Sequence, residues 1–414
     1  MSDLSTGTPA AALGVAAGRR IRVLIADDSA LMRQGVRRVL EVDPEIEVLD
    51  TARDGLDALL KVEKLQPDVI TMDVEMPRVD GLTALRMLME RSPRPVVMFS
   101  SLTAAGTETT VRALGLGAVD FIQKPSGQLG TGFSGIAGEL IAKVKTAARA
   151  RVRRPHTPRS PHPPHAAGDP ARPRGAAGAG PAFGRAAAGP AGAGHSTAAG
   201  TGPLAPLPTL FGSGPAPDRL LVVGSSTGGP RALAELLAGL PGDLPGAALI
   251  VQHLPAGFTR SLAERLDQGS ALAVAEAQEH DALATGRALV APGDFHLKLA
   301  GCRVTLDQGA RRHGVRPSVD TTLEDAAEAF GPAVLAVILT GMGEDGTAGA
   351  RAVKAAGGVV LAEDESTCVV FGMPRSVIAA GLADEVVPLD QMAAAIRRHL
   401  AALPARAARR AIHV

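Results

Sequence analysis

The sequence contains no tryptophan or tyrosine and only 9 phenylalanines among 414 residues. Any large core must therefore be built from aliphatic side chains, an arrangement that suits parallel sheets covered by helices. The shortage of aromatic rings also argues against a surface that stacks nucleic-acid bases.

Cysteine, net charge and long apolar runs are also scarce. The two cysteines, Cys302 and Cys368, lie far apart without a metal-ligand spacing, so neither a disulfide framework nor a cysteine metal site is expected. A formal net charge of +1 gives no overall attraction to nucleic acid. No run approaches the about 20 apolar residues of a membrane-spanning helix, and the N-terminus lacks an apolar signal core. The sequence predicts a cytoplasmic protein without direct membrane insertion or nucleic-acid binding.

Composition divides the chain into two α/β domains separated by a linker. The linker is rich in alanine, glycine, proline and arginine and has almost no large apolar residues or acids, so it cannot bury a core. The predicted parts are a disordered N-terminal segment (1–19), a first domain (20–150), a flexible linker (151–217), a second domain (218–403) and a C-terminal tail (404–414).

The first domain alternates short β-branched runs with amphipathic stretches, which predicts a (βα)5 fold with a parallel sheet. The predicted strands are IRVLIAD, EIEVLDTA, PDVITMD, PVVMFSS and VDFIQKP. The predicted helices cover residues 29–42, 55–65, 81–91, 107–115 and 136–150.

Acidic residues follow two of these strands. Asp27 and Asp28 close the first strand and Asp73 closes the third, so they should converge at the carboxyl edge of the sheet. Clustered carboxylates with open positions suit a partly hydrated Mg²⁺ ion. Ser100 and Lys124, at the ends of strands four and five, add a hydroxyl and an ammonium that could neutralise a phosphoryl group on Asp73.

Each of these features alone is more often a helix cap or an ordinary strand end. The segments DD, TMDVEMPRVDG, SS and KP, in this order and each at a strand end, together resemble a bacterial response-regulator receiver domain. The resemblance implies that Asp73 accepts a phosphoryl group from a histidine kinase and that Ser100 and Phe121 occupy the switch positions.

The same resemblance implies a set of Mg²⁺ ligands. Asp28, Asp73 and the backbone carbonyl of Glu75 would bind the ion directly, and Asp27 would contribute indirectly. The implied cofactor of the first domain is therefore Mg²⁺, needed for phosphorylation.

The second domain has the same alternation and predicts a larger, doubly wound, mostly parallel α/β fold. Its predicted strands are RLLVVGSS, AALIVQH, RALVAP, RVTLDQ, AVLAVILTG, GGVVLAED and DEVVPL.

A glycine-rich turn, GSSTGGP, connects the first of these strands to a helical stretch and places Ser226 over a helix N-terminus, where negative charge is favoured. A dinucleotide loop is a weak interpretation, because GxGxxG is missing. Gly224 to Gly228 formally match the GxSxG elbow of α/β-hydrolases, although that fold orders its triad Ser, acid, His. The motif by itself also allows a phosphate-binding or structural turn.

Two further strand ends favour a hydrolase. His253 ends the strand in LIVQHLPAGF, and Asp345 follows the strongly apolar strand in LTGMGEDG, so both should meet Ser226 at one sheet edge. A serine hydroxyl needs a base to take its proton and an acid to orient that base. Ser226, His253 and Asp345 are the predicted nucleophile, base and acid.

Glu344 precedes Asp345, and either carboxylate could pair with His253. Three other histidines of this domain are weaker candidates for the base, because they do not end the strand that follows the nucleophile: His280, His296 and His313.

The blocks GSSTGGP, QHLPAGFT, APGDFH, RPSVD, LTGMGEDG and FGMP resemble the catalytic domain of the chemotaxis protein-glutamate methylesterases, a family with a receiver domain before this one. The resemblance extends from about Asp218 to Arg398. It implies hydrolysis of γ-glutamyl methyl esters on the cytoplasmic helices of chemoreceptors and deamidation of receptor glutamines, with no cofactor for hydrolysis and with a chemotaxis histidine kinase as phosphodonor. It also favours Asp345 over Glu344.

The family further implies that the backbone N–H of Met342 binds the oxyanion and that Thr227 shapes the substrate cleft. Residues 316–318 have a role in that cleft or in packing. A tethered receiver suggests that the unphosphorylated domain covers the cleft.

One alternative is a phosphorylation-dependent adaptor with an inactive hydrolase domain. Another, a DNA-binding regulator, would need a basic recognition element that the second domain does not provide.

Overall fold

The computed structural model describes residues 19–101, 103–124, 132–152 and 216–406. Nearly all of the predicted N-terminal segment and of the predicted linker, and the end of the predicted tail, lie outside these residues. Within the described ranges, no helix is long and apolar enough to cross a membrane.

Residues 21–148 form a five-stranded parallel sheet with five helices, which confirms the predicted (βα)5 fold. The strands lie in the order β2-β1-β3-β4-β5. They are β1 (Ile21–Ala26), β2 (Ile46–Ala52), β3 (Val69–Asp73), β4 (Val96–Ser100) and β5 (Asp120–Gln123). The helices are α1 (Ala30–Leu40), α2 (Gly55–Leu65), α3 (Gly81–Arg91), α4 (Ala104–Leu116) and α5 (Gly132–Ala148).

Local chemistry sets the starts of the first four helices. Each begins after a polar residue whose side chain accepts a hydrogen bond from the backbone N–H three residues later. These capping residues are Ser29, Asp54, Asp80 and Thr103. The Thr103 cap explains why α4 begins three residues before the predicted residue 107, since its first turn consists of small residues without apolar periodicity.

Residues 220–402 form a second, larger parallel sheet with the strand order β14-β13-β12-β6-β7-β9-β8. The strands of this region are β6 (Leu220–Ser225), β7 (Ala247–Gln252), β8 (Ala273–Glu276), β9 (Arg287–Val290), β10 (His296–Ala300), β11 (Arg303–Asp307), β12 (Val334–Ile338), β13 (Val359–Glu363) and β14 (Glu385–Val387). The helices are α6 (Gly229–Ala238), α7 (Phe258–Gly269), α8 (Val319–Phe330), α9 (Thr347–Ala355), α10 (Met373–Ala379) and α11 (Leu389–Ala402), with a 3-10 turn at Gly331–Ala333.

Two strands, β8 and β10, were not predicted, because both are short and only partly buried. The predicted strand RVTLDQ does form β11, but it pairs antiparallel with β10 in a separate hairpin instead of joining the main sheet. Only two residues connect this pair, with Gly301 at φ 69°. A connection this short permits a hairpin and excludes a parallel crossover.

The order of the main sheet places a topological switch point at β6. Strands β7, β9 and β8 lie on one side of β6 in the sheet, whereas β12, β13 and β14 lie on the other. Strands β6, β7 and β12 are buried throughout, as expected for parallel strands covered on both faces. Their carboxyl ends therefore meet beside a crevice, the usual ligand position in open α/β folds.

The two α/β regions belong to one compact unit. Helix α4 packs against α6 and α7, and one buried hydrophobic cluster includes side chains of both regions. Phe121 at the start of β5 contacts Phe258 at the start of α7, with ring centroids 4.5 Å apart and a tilt of 31°. This ring contact joins the two regions.

Gly224 of β6 lies directly beneath helix α8. A Cβ atom at this position would lie 2.4 Å from Cγ1 of Val319. We expect Gly224→Ala to destabilise the second region by about 1–3 kcal/mol through overpacking, measured as the midpoint of urea unfolding. Gly269→Ala is the control, because no atom lies within 4 Å of its Cβ position. Adding Val319→Ala should relieve the loss, and strictly additive effects would contradict the close contact.

Candidate functional site

The acidic residues of the first region lie together at the carboxyl edge of its sheet. Asp73 ends β3, Asp27 follows β1, and carboxylate oxygens of Asp27, Asp28 and Asp73 lie within 4.8 Å of one another. Lys124 Nζ lies 2.6 Å from Asp73 Oδ2 and 3.8 Å from Asp27 Oδ2. The pocket therefore combines three carboxylates with one ammonium group.

The donor set of this pocket fits a hard divalent cation. Asp27 Oδ2 is buried and has no hydrogen-bond partner among the described residues. Burial and the charge of Asp73 raise the pKa of Asp27 to about 6, and burial raises the pKa of Asp73 in spite of its bond to Lys124. A cation would relieve this repulsion. Asp28 is exposed, and the backbone N–H of Glu75 donates to Asp73 Oδ1 at 3.3 Å.

The two predicted switch residues have different contacts. The Ser100 hydroxyl is fully buried, donates to the Gly106 carbonyl at 3.3 Å and bonds the Thr110 hydroxyl, so it engages helix α4. Phe121 is buried against Phe258 of the second region. Ser100 thus connects the acidic edge to α4, and Phe121 connects β5 to the second region.

Ser226 follows β6 in a turn that neighbouring strands hold from both sides. Its backbone N–H donates to the Thr340 carbonyl at 3.0 Å, and its carbonyl accepts from Gln252 Nε2 at 2.9 Å. Gly229 begins α6, where a Cβ would lie 1.9 Å from Gln252 Oε1. The sequence did not predict that Gln252 and Thr340 hold the Ser226 turn. Neither residue type indicates this role unless the order of the strands in the sheet is known.

His253 and Asp345 lie on either side of the Ser226 strand and bond each other. His253 Nε2 lies 2.8 Å from Asp345 Oδ2, and both side chains are largely buried. Burial raises the pKa of Asp345, but the hydrogen bond and charge of His253 and two backbone N–H groups outweigh this and lower the pKa to about 2. Asp345 is therefore ionised at neutral pH and can hold the imidazole in one orientation.

The start of helix α8 supplies additional bonds to Asp345. Ser318 Oγ donates to its Oδ1 at 2.8 Å, and the backbone N–H groups of Val319 and Asp320 donate at 2.7 and 3.0 Å. The sequence pointed to this segment through the block RPSVD, but left its role open between cleft and packing. In the structure Ser318 lies behind the carboxylate of Asp345, whereas Arg316 lines the cleft that contains Ser226.

The other candidate residues of this region do not bond His253. Glu344 is exposed, and its carboxylate lies 3.8 Å from His313 Nδ1. His280 is exposed beside Glu279, and His296 Nε2 lies 3.0 Å from the Ala310 carbonyl. Geometry therefore pairs Asp345, and not Glu344, with His253.

Ser226, His253 and Asp345 line one cleft of about 750 Å³. Met342, half exposed, and Thr227, buried, line it too. The first region closes one side of this cleft. The Thr227 hydroxyl donates to Asp120 Oδ2 at 2.8 Å, and the Thr146 hydroxyl lies 3.1 Å from Met342 Sδ.

A second group of possible metal ligands lies beside the cleft and consists of His313, Asp320 and Asp345. Both of its carboxylates are already filled by hydrogen-bond donors: Asp345 accepts from α8 and His253, and Asp320 accepts from the start of α9 and from His313 Nε2 at 2.9 Å. This arrangement does not suit a cation, because donors occupy the oxygens that would bind it.

The fold and the sites define a response regulator whose effector region has the Ser, His and Asp arrangement of a serine hydrolase. Comparison with known families agrees with both halves. Residues 23–129 match the response regulator receiver domain, and residues 221–396 match CheB methylesterase.

Named relatives match nearly the whole chain. The protein-glutamate methylesterase/protein-glutamine glutaminase of Symbiobacterium thermophilum is 47% identical over 387 residues, covering 92% of this chain and 97% of the relative. A second, from Pseudomonas aeruginosa, is 43% identical over 385 residues, with the same coverage. The crystal structure of the Thermotoga maritima CheB methylesterase catalytic domain is 48% identical and covers 44% of this chain and 97% of its own, with a TM-score of 0.43. The chain belongs to the CheB family of protein-glutamate methylesterases/protein-glutamine glutaminases.

The acidic pocket leads to a direct test of the phosphoacceptor. We expect Asp73→Asn to abolish phosphorylation by acetyl phosphate in the presence of Mg²⁺, measured as the retarded band on a phosphate-affinity gel. Asp80→Asn is the control, because Asp80 is an exposed helix cap seven positions away and asparagine caps as well as aspartate. Unchanged labelling of Asp73→Asn would assign the phosphoacceptor to another residue.

Proposed function

We propose that this chain is a phosphorylation-activated serine hydrolase that removes methyl esters from γ-glutamyl groups of chemoreceptors and deamidates particular receptor glutamines. Residues 20–150 would act as the receiver domain, 218–403 as the catalytic domain and 151–217 as their tether. The observation that carries the proposal is the meeting of Ser226, His253 and Asp345 at one cleft, in a chain that belongs to this family.

The first half of the reaction is acyl transfer to Ser226. His253 takes the hydroxyl proton through the ring nitrogen that does not bond Asp345, while Ser226 Oγ attacks the ester carbonyl and forms a tetrahedral intermediate. The intermediate collapses as the bond to the methoxy oxygen breaks, and His253 returns the proton so that methanol leaves. Asp345 stabilises the imidazolium throughout, because its low pKa keeps it ionised.

The second half is hydrolysis of the acyl-enzyme. His253 takes a proton from water, the resulting hydroxide attacks the acyl carbon, and the proton returns to Ser226 Oγ as glutamate is released. A glutamine substrate follows the same steps and releases ammonia instead of methanol. Neither half requires a cofactor.

The oxyanion would be bound by backbone donors that include the N–H of Met342. This assignment is supported by the approach of the 341–342 backbone to the nucleophile. A Cβ on Gly341 would lie 2.8 Å from Ser226 Cβ, so the chain passes next to Ser226 only because this residue is glycine. Each such donor contributes about 10²–10³ in rate.

Regulation would come from the first region, which closes the cleft in the described arrangement. Asp120 binds Thr227, next to the nucleophile, and Thr146 contacts Met342. Strand β5 also leads to Lys124, which bonds Asp73. A phosphoryl group adds about −1.5 to −2 charge beside Lys124. We propose that this charge repacks β5, with Ser100 and Phe121, and releases the cleft.

The phosphoryl group would come from a chemotaxis histidine kinase. Asp27, Asp28, Asp73 and the Glu75 carbonyl would hold Mg²⁺, which neutralises charge on the transferred group when bound. The substrates would be the cytoplasmic helices of chemoreceptors, and the site of action would therefore be the cytoplasm.

The catalytic assignment is tested by methanol release from methylated receptor with phosphodonor present. Ser226→Ala should abolish release. Asp345→Asn should lower kcat by about 10⁴, as replacement of a triad carboxylate does elsewhere. Glu344→Gln is the matched control and should lower kcat far less, because Glu344 lines the cleft but its exposed carboxylate lies beside His313 and does not bond His253. Methanol release by Ser226→Ala equal to wild type would reject Ser226 as nucleophile.

The same assay separates the enzyme from the adaptor alternative. An adaptor with an inactive hydrolase domain would release no methanol in any form, with or without phosphodonor. It would still bind receptor when phosphorylated, which a pull-down of methylated receptor would detect.

Control of the cleft is tested at the contact between α4 and α7. A Cβ on Gly115 would lie 2.6 Å from the Arg265 guanidinium, so Gly115→Arg adds bulk and like charge at this contact. We expect a loss of docking energy of about 1–3 kcal/mol, hence roughly 5- to 100-fold higher methanol release without phosphodonor. Gly135→Arg on α5 is the control, because no atom lies within 4 Å of its Cβ position. Equal basal rates for both variants would argue against closure by the receiver.

A further inference from the structure

Helices α8 and α9 start side by side behind His253, and neither is capped by its own N-cap side chain. The N-cap of α8 is Ser318, whose hydroxyl donates to Asp345 instead of accepting from the helix. The N-cap of α9 is Gly346, which has no side chain. The first N–H groups of both helices have no acceptor within their own helix and need acceptors from elsewhere.

Each helix start receives its acceptor from the other. Asp345, just before α9, accepts from the backbone N–H groups of Val319 and Asp320 in α8. Asp320, in the first turn of α8, accepts from the backbone N–H groups of Gly346 at 2.9 Å and Gly349 at 2.7 Å. Asp320 and Asp345 therefore form a reciprocal cap between the two helices.

The reciprocal cap is closely packed. Asp320 has 0% of its surface exposed, and its second oxygen accepts from His313 Nε2 at 2.9 Å. A Cβ on Gly349 would lie 2.5 Å from Cβ of Leu323 and 3.0 Å from Cα of Asp320. Only glycine at position 349 lets α9 approach α8 closely enough for Asp320 to reach both N–H groups.

We propose that Asp320 is a positioning residue for the catalytic carboxylate. Asp320 fixes the start of α9, and Asp345 is the residue immediately before that start. The bond between Asp345 and His253 therefore depends on a residue that touches neither substrate nor the imidazole. The expected effect of Asp320 on turnover rests on the proposed function. Its expected effect on the bond between Asp345 and His253 does not depend on any substrate.

Removing the Asp320 carboxylate should have two effects. The N–H groups of Gly346 and Gly349 lose their acceptor, so the start of α9 relaxes and Asp345 moves away from His253. Misplacement by about 1 Å lowers turnover by about 10²-fold. The Asp345 carboxylate holds the His253 ring through a charge-assisted hydrogen bond, so its withdrawal breaks that bond.

The experiment compares three variants in the full chain: Asp320→Ala, Asp320→Asn and Asp384→Ala. Asparagine keeps an oxygen that can accept from both N–H groups but removes the charge, so it separates position from electrostatics. Asp384 is the structural control, because its carboxylate also accepts a backbone bond, from Val360 at 2.8 Å, and is remote from the cleft. If circular dichroism shows that Asp320→Ala is unfolded, Asp320→Ser, which keeps a shorter acceptor, replaces it.

The first readout is the NMR resonance of the ring proton in the hydrogen bond between His253 and Asp345, assigned with a His253→Gln sample. We expect this hydrogen-bonded resonance to be lost in Asp320→Ala and to be retained in Asp320→Asn and Asp384→Ala. The second readout is methanol release with phosphodonor, where Asp320→Ala should lower kcat by about 10²-fold with little change in KM.

The inference is overturned if the resonance of the His253–Asp345 bond in Asp320→Ala equals that of wild type, or if Asp384→Ala loses it equally. An equal loss in Asp320→Asn and in Asp320→Ala would also overturn it, because charge and not position would then be the cause. A wild-type chain that releases no methanol would reject the proposed function, whereas the NMR measurement would still decide the role of Asp320.

Discussion

The buried charge of Asp345 is the constraint on which the second α/β region depends. Burial of an ionised carboxylate is costly unless hydrogen-bond donors surround it. Asp345 accepts five hydrogen bonds, from His253, from the start of α8 and from the backbone N–H of Gly346. These donors come from segments far apart in sequence. The carboxylate can be buried in its ionised form only when β7, α8 and α9 are all in place, so the packing of these elements also prepares the site.

Strand β5 has a comparable role between the two regions. It is four residues long, about 13 Å, yet it connects two sites. Its first residues, Asp120 and Phe121, contact Thr227 and Phe258 of the second region, and Lys124 just beyond it bonds Asp73. A change of charge at the acidic pocket therefore acts on the same short strand that closes the cleft.

Much of the fold could be predicted because its determinants are local. Apolar runs such as those of β6 and β12 are buried on both faces, and polar caps begin the first four helices. The prediction was incomplete where burial is partial, as for β8 and β10, and where pairing is decided by a neighbour, as for β11. A short turn at Gly301 set that pairing, and apolar periodicity carries no information about it.

The sequence by itself determined the two α/β folds and brought attention to Asp73, Ser226, His253 and Asp345, because strand ends in parallel sheets share one edge. Tertiary structure showed that Asp345, which the family resemblance favours over Glu344, is the carboxylate that bonds the imidazole, since adjacent carboxylates differ only in which one faces it. Tertiary structure alone placed Asp320 opposite the start of α9 and the Ser100 hydroxyl against α4. These choices depend on contacts between segments distant along the chain, and such contacts exist only after the sheets and helices have packed.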